Sequence, residues 1–133
     1  MKKNGILNSE LSKIVAEMGH GNKLVICDAG LPIPLNSRKL DLAVSRNIPG
    51  FLDTLKVVMQ ELVVESVIIA DELISVNHGV YDGIKDLVKD TELTKAPHEE
   101  FKSIYQSEAD VVFVRTGETS PYANIILVCG VDF

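Results

Sequence analysis

A short run of apolar residues, Leu24-Val25-Ile26-Cys27, stops abruptly at Asp28-Ala29-Gly30. A continuous apolar run of this length is typical of a β-strand buried on both faces, and such strands occur mainly in sheets covered by helices on both sides. The residues that follow, Leu31-Pro32-Ile33-Pro34, predict a rigid loop because proline has no amide hydrogen to donate to a helix or a central strand. The run therefore indicates an α/β protein in which a polar loop follows a buried strand.

Helical and strand-like patterns alternate along the rest of the chain. An amphipathic helix is predicted to begin at Asn8 or Ser9, either of which can cap it, and to end at Gly19. The later predictions, in chain order, are a strand at 40–44, a helix from Phe51, a strand at 63–70, a helix at 80–88, a short strand near 92–95, a helix from Pro97, and strands at 111–115 and 125–129. This order predicts a single domain over residues 1–133, with a three-layer α/β/α fold around a mixed, mostly parallel sheet of about six strands. The last two strands are close enough in sequence to allow one antiparallel neighbour.

Charge and composition exclude several classes of partner. The chain has 13 Lys and Arg against 19 Asp and Glu, a formal net charge of −6, and no basic stripe that could neutralise nucleic-acid phosphates. No run of about 18 apolar residues is present, and no apolar run or cleavage site follows the basic start, so we expect a cytoplasmic protein without membrane insertion. Cys27 and Cys129 lie in apolar runs and are predicted to be reduced core thiols. Together with three scattered histidines, they form no zinc signature.

Three titratable residues are candidates for chemistry. Asp28 stands at the carboxyl end of the predicted strand, where open α/β sheets usually bind ligands; its alternative role is a turn residue bonding its own loop. His20 follows the end of the first helix, whose partial negative charge favours a protonated imidazole that can donate a proton. His98 lies in the first turn of a helix, which favours a neutral imidazole that accepts a hydrogen bond. The alternatives are a surface imidazole capping helix carbonyls for His20 and a solvated first-turn residue for His98. His78 has no environment that the sequence can specify.

The segment Ser120-Pro121-Tyr122-Ala123-Asn124 places a hydroxyl, a phenol and an amide on one stiff turn. Such a set suits the several hydroxyls of a neutral polyol, although turn chemistry alone would also explain it. Arg115 and Glu118 could form an ion pair or a subunit contact, and we expect a structural role for them. The chain has no glycine-rich phosphate loop, no Gly-x-Ser-x-Gly elbow and no Lys or Arg cluster, which disfavours a phosphorylated substrate.

Five separated motifs follow one another along the chain: Met18-Gly19-His20-Gly21, Val25 to Pro34, His98-Glu99-Glu100-Phe101-Lys102, Arg115-Thr116-Gly117-Glu118 and Ser120-Pro121-Tyr122-Ala123-Asn124-Ile125. Taken together, these motifs resemble the D-ribose pyranase family. Their order along the chain extends the resemblance over essentially all of it. Only the part between Asp71 and Lys95 carries little of the likeness.

The resemblance implies an isomerase that interconverts the pyranose and furanose rings of free D-ribose. It implies His20 as the catalytic proton donor, and its sugar-contacting residues would be Asp28, His98, Tyr122, Ala123 and Asn124. No metal or organic cofactor is implied. The family likeness also implies a cytoplasmic ring-shaped homo-oligomer, a decamer, in which neighbouring chains complete sites near the subunit interfaces.

Two other functions are alternatives to the interconversion of ribose rings. The first is a mutarotase of another free sugar such as fucose, because the same proton transfers interconvert α and β anomers. The second is a non-catalytic sugar-binding assembly. All catalytic versions require His20 and Asp28 to share a cavity, either within one chain or between adjoining protomers.

Overall fold

A computed structural model describes residues 1–133, which form six strands and five helices. The strands are β1 Lys23–Cys27, β2 Arg38–Asp41, β3 Val64–Ala70, β4 Glu92–Ala96, β5 Val111–Arg115 and β6 Ile125–Cys129. The helices are α1 Ser9–Glu17, α2 Phe51–Met59, α3 Asp71–Val76, α4 His78–Leu87 and α5 His98–Gln106. No helix combines the length and the apolar character needed to cross a membrane.

All six strands belong to one sheet in the order β2-β5-β1-β6-β3-β4. The pairs β2–β5, β5–β1 and β3–β4 are parallel, which confirms the predicted mixed and mostly parallel sheet. The antiparallel strand is β6, which pairs with both β1 and β3 and not with β5, so it has two antiparallel neighbours where one was expected. Because β6 lies beyond β1, the connection from β5 crosses the carboxyl end of β1. This crossing carries the 120–124 turn to Asp28.

Alternate residues of the central strands pack into two separate cores, as three layers require. Leu24 and Ile26 of β1 face the core covered by α1, α2, α3 and α4. Val25 and Cys27 face the second core, which a single helix, α5, covers with aromatic side chains. Burial raises the pKa of the Cys27 thiol to about 12, so this unpaired thiol stays protonated in the core. The three-layer prediction is confirmed, with unequal cover on the two faces of the sheet.

Local signals explain the start of the first helix but not every element boundary. The Asn8 side chain accepts a hydrogen bond from the amide of Leu11 at 2.9 Å, as expected of the N-cap of α1. That helix ends at Glu17, before the predicted Gly19. The second strand begins and ends earlier than predicted, at Arg38–Asp41. No sequence pattern predicts α3, because its 6 residues are too few to show a helical period.

Candidate active site

Asp28 lies immediately beyond the carboxyl end of β1, as predicted, and is held there by the last strand. Its backbone amide donates to Oδ1 of Asn124 at 2.9 Å, and Nδ2 of Asn124 donates to its Oδ2 at 2.9 Å. Its Oδ1 also accepts from the amide of Gly30 at 2.9 Å, so the turn role considered for Asp28 is present as well. Asn124 is only 1 % exposed. The pair therefore fixes the Asp28 carboxylate from a buried carboxamide.

His98 and Tyr122 form an aromatic wall beside Asp28. Their ring centroids lie 5.1 Å apart in an edge-on arrangement, with His98 starting α5 and Tyr122 ending the turn before β6. Tyr122 has a backbone φ of 57°, in the left-handed region that few residues other than glycine adopt. The His98 imidazole makes no hydrogen bond to another protein group, and its Nδ1 atom is buried without a partner. The hydrogen-bonding capacity of this imidazole is therefore not consumed by the fold.

Two adjoining cavities open at this edge of the sheet. One, of about 220 Å³, is lined by Asp28, Gly30, Leu31, Pro32, His98, Pro121, Tyr122 and Asn124. The other, of about 420 Å³, shares Asp28, Gly30 and Pro121 with it and adds Arg46 and Glu118. Four of the predicted site residues thus surround one cavity. The fifth sugar-contacting prediction, Ala123, is fully buried and lines neither cavity.

Glu118 fixes the backbone of the turn that leads to the aromatic wall. One carboxylate oxygen accepts from the amides of Thr119 at 3.1 Å and Ser120 at 3.0 Å. The other accepts from the amide of Phe51 at the start of α2, at 3.2 Å. Burial alone would raise the pKa of the Glu118 carboxyl, but hydrogen bonds from Ser120, Phe51 and Thr119 outweigh it, so the pKa lies below its ordinary value. Glu118 is therefore ionised and holds the backbone of the turn through hydrogen bonds.

Of the two roles considered for Arg115 and Glu118, the ion pair between them does not form. Instead, Nη1 of Arg115 lies 3.1 and 3.0 Å from the two carboxylate oxygens of Asp41, because the β2–β5 register places these residues opposite each other. Nε of Arg115 donates to the carbonyl of Ala29 at 3.1 Å. Arg115 thus connects an edge strand to the loop that follows Asp28.

His20 lies at the opposite edge of the sheet, before the amino end of β1. Its Nε2 atom is 3.1 Å from Oε2 of Glu65, and its side chain is 64 % exposed. At about 3.3 Å of rise per residue, the five residues of β1 separate the two edges by roughly 16 Å. Within one chain, the structure therefore does not bring His20 together with Asp28 or with His98.

Sequence reasoning missed four polar residues of these two edges. Glu65 contacts His20 across 45 positions of sequence, and nothing in its strand pattern indicated this contact. Arg46 lines the larger cavity. Glu72 and Asn77, in the part of the chain where no function was assigned, bond the segments that carry His98 and Tyr122. These residues reach the site through the packing of segments that are distant in sequence, so no local spacing predicts their contacts.

The fold and the site define a small α/β protein with a polar cavity suited to a neutral polyhydroxyl ligand at the carboxyl edge of its sheet. The chain belongs to the RbsD / FucU transport protein family, which matches residues 1–132.

The similarity to known proteins extends over the full length of the chain. D-ribose pyranase of Clostridium perfringens (strain SM101 / Type A) is 46% identical over 133 residues, covering 100% of both chains. D-ribose pyranase of Geobacillus thermodenitrificans is 47% identical, covering 100% of this chain and 99% of the relative. The structure of Bacillus subtilis RbsD complexed with D-ribose has a TM-score of 0.91 at 46% identity and full coverage of both chains. The fucose mutarotase of Streptococcus pneumoniae, in complex with L-fucose, shares the fold at 24% identity and a TM-score of 0.77.

Proposed function

We propose that this protein is an isomerase that interconverts the pyranose and furanose ring forms of free D-ribose. The observation that carries the proposal is the identity of 46% over the whole chain with both a D-ribose pyranase and an RbsD structure that contains D-ribose. The site agrees with it, since a carboxylate, an imidazole and a phenol surround one polar cavity. These groups match the hydrogen-bonding needs of a small uncharged sugar.

The reaction opens one hemiacetal and closes another. A proton must reach the ring oxygen while the anomeric hydroxyl loses its proton. A different hydroxyl of the open chain then adds to the carbonyl, gives its proton back to the acid, and the carbonyl oxygen takes up the proton held by the base. Only protons and C–O bonds change, so a positioned acid–base pair contributing roughly 10²–10⁴-fold, together with orientation of the open chain, accounts for catalysis. The reaction as proposed uses no cofactor.

We assign the roles as follows. Protonated His20 supplies the ring-oxygen proton, and His98, whose imidazole makes no hydrogen bond to the protein, accepts the anomeric proton. Asp28 orients a sugar hydroxyl, while Tyr122 contributes its phenol to the cavity. Asn124 lines the cavity next to Asp28, to which its carboxamide is bonded, and Ala123 lies buried between Tyr122 and Asn124, so both belong to the proposed sugar-binding turn.

These roles require a second copy of the chain, because His20 and His98 lie at opposite edges of the sheet. The exposed His20 imidazole is free to enter the cavity of a neighbouring chain. Exposed apolar side chains at Leu35, Val44 and Ile48 lie on loops and offer surface for such a contact. We propose a ring-shaped homo-oligomer, a decamer, built from single domains spanning 1–133, as the family resemblance implies.

We also propose a cytoplasmic location. Both cysteines are buried and unpaired, as is usual for proteins kept in a reducing compartment. The resemblance to D-ribose pyranases supports the same location.

NMR saturation transfer between the ring forms of free ribose tests the function. The wild-type protein should accelerate the exchange, and His20→Ala should reduce it at least about 10²-fold, because the proton donor is lost. His78→Ala, which removes another exposed histidine, is the matched control and should exchange at the wild-type rate. Unchanged exchange in His20→Ala would remove His20 from the mechanism.

The same measurement separates the two alternatives. Comparable acceleration with fucose or galactose and none with ribose would indicate a mutarotase of another sugar. Binding of ribose in calorimetry, with exchange left at the uncatalysed rate, would indicate a non-catalytic sugar-binding protein. Light scattering of the purified chain tests the decamer.

A further inference from the structure

The short helix α3 bonds at its two ends to the two segments that carry the aromatic wall of the cavity. At its first turn, both carboxylate oxygens of Glu72 accept from the backbone amide of His98, at 2.9 and 3.2 Å. The residue before His98 is Pro97, whose side chain cannot cap α5. The Glu72 carboxylate therefore takes the place of the missing cap. It fixes the backbone of His98 and, through it, the position of the imidazole.

At the other end of α3, Asn77 holds the turn that carries Tyr122. Its Nδ2 atom donates to Oγ of Ser120 at 2.9 Å and to the carbonyl of Pro121 at 2.9 Å. The backbone of Asn77 is itself fixed, because its amide donates to the α3 carbonyl of Leu73 at 2.9 Å and its carbonyl accepts from the first turn of α4 at 3.1 Å. The Asn77 amide group, on a fixed backbone, therefore holds the turn at both Ser120 and Pro121.

The turn needs such support because of the backbone of Tyr122. A φ of 57° in a large non-glycine residue costs free energy and persists only where the surroundings hold it. One of the two hydrogen bonds from Asn77 ends at the carbonyl of Pro121, the residue directly before Tyr122. Loss of this bond would let the turn relax and move the phenol away from His98.

We propose that Glu72 and Asn77 are positioning residues that set the spacing between His98 and Tyr122 across the sugar cavity. Neither residue lines the cavity, so each acts through the residue it holds. The inference rests on the proposed ribose isomerase activity. It assigns a function to the part of the chain that carries the least family resemblance.

Asn77→Asp tests the Tyr122 side of the arrangement. Aspartate has nearly the same size but an ionised carboxylate has no hydrogen to donate to the Pro121 carbonyl. We expect KM for ribose exchange to rise roughly tenfold while kcat changes less than about twofold, since sugar binding and not proton transfer is damaged. The nuclear Overhauser contact between the His98 and Tyr122 rings should weaken. Ser75→Ala, an exposed change on the same helix, is the matched control and should leave both constants unchanged.

Glu72 gives an independent test on the His98 side. Glu72→Ala should lower kcat roughly tenfold, because the proposed proton acceptor is displaced. Glu72→Gln should restore most of the loss, since its Oε1 still accepts from the His98 amide. If Asn77→Asp does not fold, Asn77→Ala and the Glu72 pair carry the test.

A merely structural role predicts a different pattern. Partial unfolding lowers the active fraction, and hence apparent kcat, with KM unchanged. A wild-type KM and an intact ring contact in folded Asn77→Asp would overturn the proposal. If the wild-type protein itself accelerates no exchange, the proposed function fails, and the ring contact alone decides: its loss in Asn77→Asp supports positioning and its retention contradicts it.

Discussion

The two edges of the sheet differ in how completely the chain organises them. At the carboxyl edge, Asp28 is bonded to Asn124, and His98 packs against Tyr122. At the amino edge, the His20 side chain makes one hydrogen bond, to Glu65, and both side chains are more than half exposed, at 64 % and 58 %. One edge is assembled by its own hydrogen bonds, and the other presents a side chain to solvent.

Under the proposed mechanism, the carboxyl edge binds the sugar and the amino edge delivers the proton. Groups held by buried hydrogen bonds are preorganised, and preorganisation lowers the cost of binding a ligand. An exposed ion pair is worth little free energy, so His20 can leave Glu65 at small cost when a neighbouring chain offers a site. In the proposed isomerase, one chain binds the sugar, and the neighbouring chain supplies the acid. Assembly then becomes a condition for catalysis.

The strongest way to break this comparison is to mix two inactive variants. His20→Ala removes only the amino-edge donor, and His98→Ala removes only the carboxyl-edge acceptor, whose ring makes no hydrogen bond to the protein. Each variant alone should be nearly inactive. In hybrid oligomers from an equal mixture, about a quarter of the sites receive both intact residues, so saturation transfer should recover about a quarter of the wild-type activity.

The control for mixing is a pair of variants damaged at the same edge. His20→Ala mixed with His20→Gln offers no intact donor and should recover nothing. An affinity tag on one variant verifies that hybrids form. Hybrids that remain inactive in the first mixture would show that no site is shared between chains.

Stability should separate the edges in the opposite sense. Asn124→Ala leaves the amide and one carboxylate oxygen of Asp28 without their partners in a partly buried place, which should cost about 2–3 kcal/mol of unfolding free energy. His20→Ala removes an exposed pair and should change it by less than about 0.5 kcal/mol. Urea unfolding at one fixed protein concentration compares them, since assembly contributes to stability. Equal losses for the two variants would contradict the contrast between the edges.

The carboxyl edge was the more predictable edge, for a physical reason. A buried apolar run has a strong local signal, so β1, β5 and β6 and the place of Asp28 follow from the sequence. The turn residues Tyr122 and Asn124 precede a predicted strand and were found with it. What the sequence did not indicate is that the Asn124 carboxamide bonds Asp28, because this depends on β6 lying next to β1.

Local sequence patterns did not predict the contacts at the amino edge or the helix α3. The contact between His20 and Glu65 depends on the order of the strands, and its two residues lie 45 positions apart. Glu72 and Asn77 belong to a helix too short to show a period. Neither a period nor a motif encodes contacts of this kind, since they arise only when distant segments pack.

The smallest expected effect is a change in how the stability of the carboxyl edge depends on pH. The pKa of Glu118 lies below its ordinary value of 4.5 in the folded chain, because amide hydrogen bonds outweigh the opposing effect of burial. A group whose pKa is depressed by folding stabilises the fold fully above its ordinary pKa. That contribution is lost as the pH falls through the folded value.

Glu118→Gln should therefore be less stable than the wild-type protein at pH 7, by less than Asn124→Ala. The difference in unfolding free energy should shrink as the pH is lowered from 5 toward 3, because the wild-type carboxylate becomes protonated and loses its advantage over the amide. All other carboxylates are common to both proteins, so the difference isolates Glu118. Urea unfolding across this pH range measures it. A difference in unfolding free energy that stays constant down to pH 3 would contradict this prediction. It would show that the charge of Glu118 does not hold the turn.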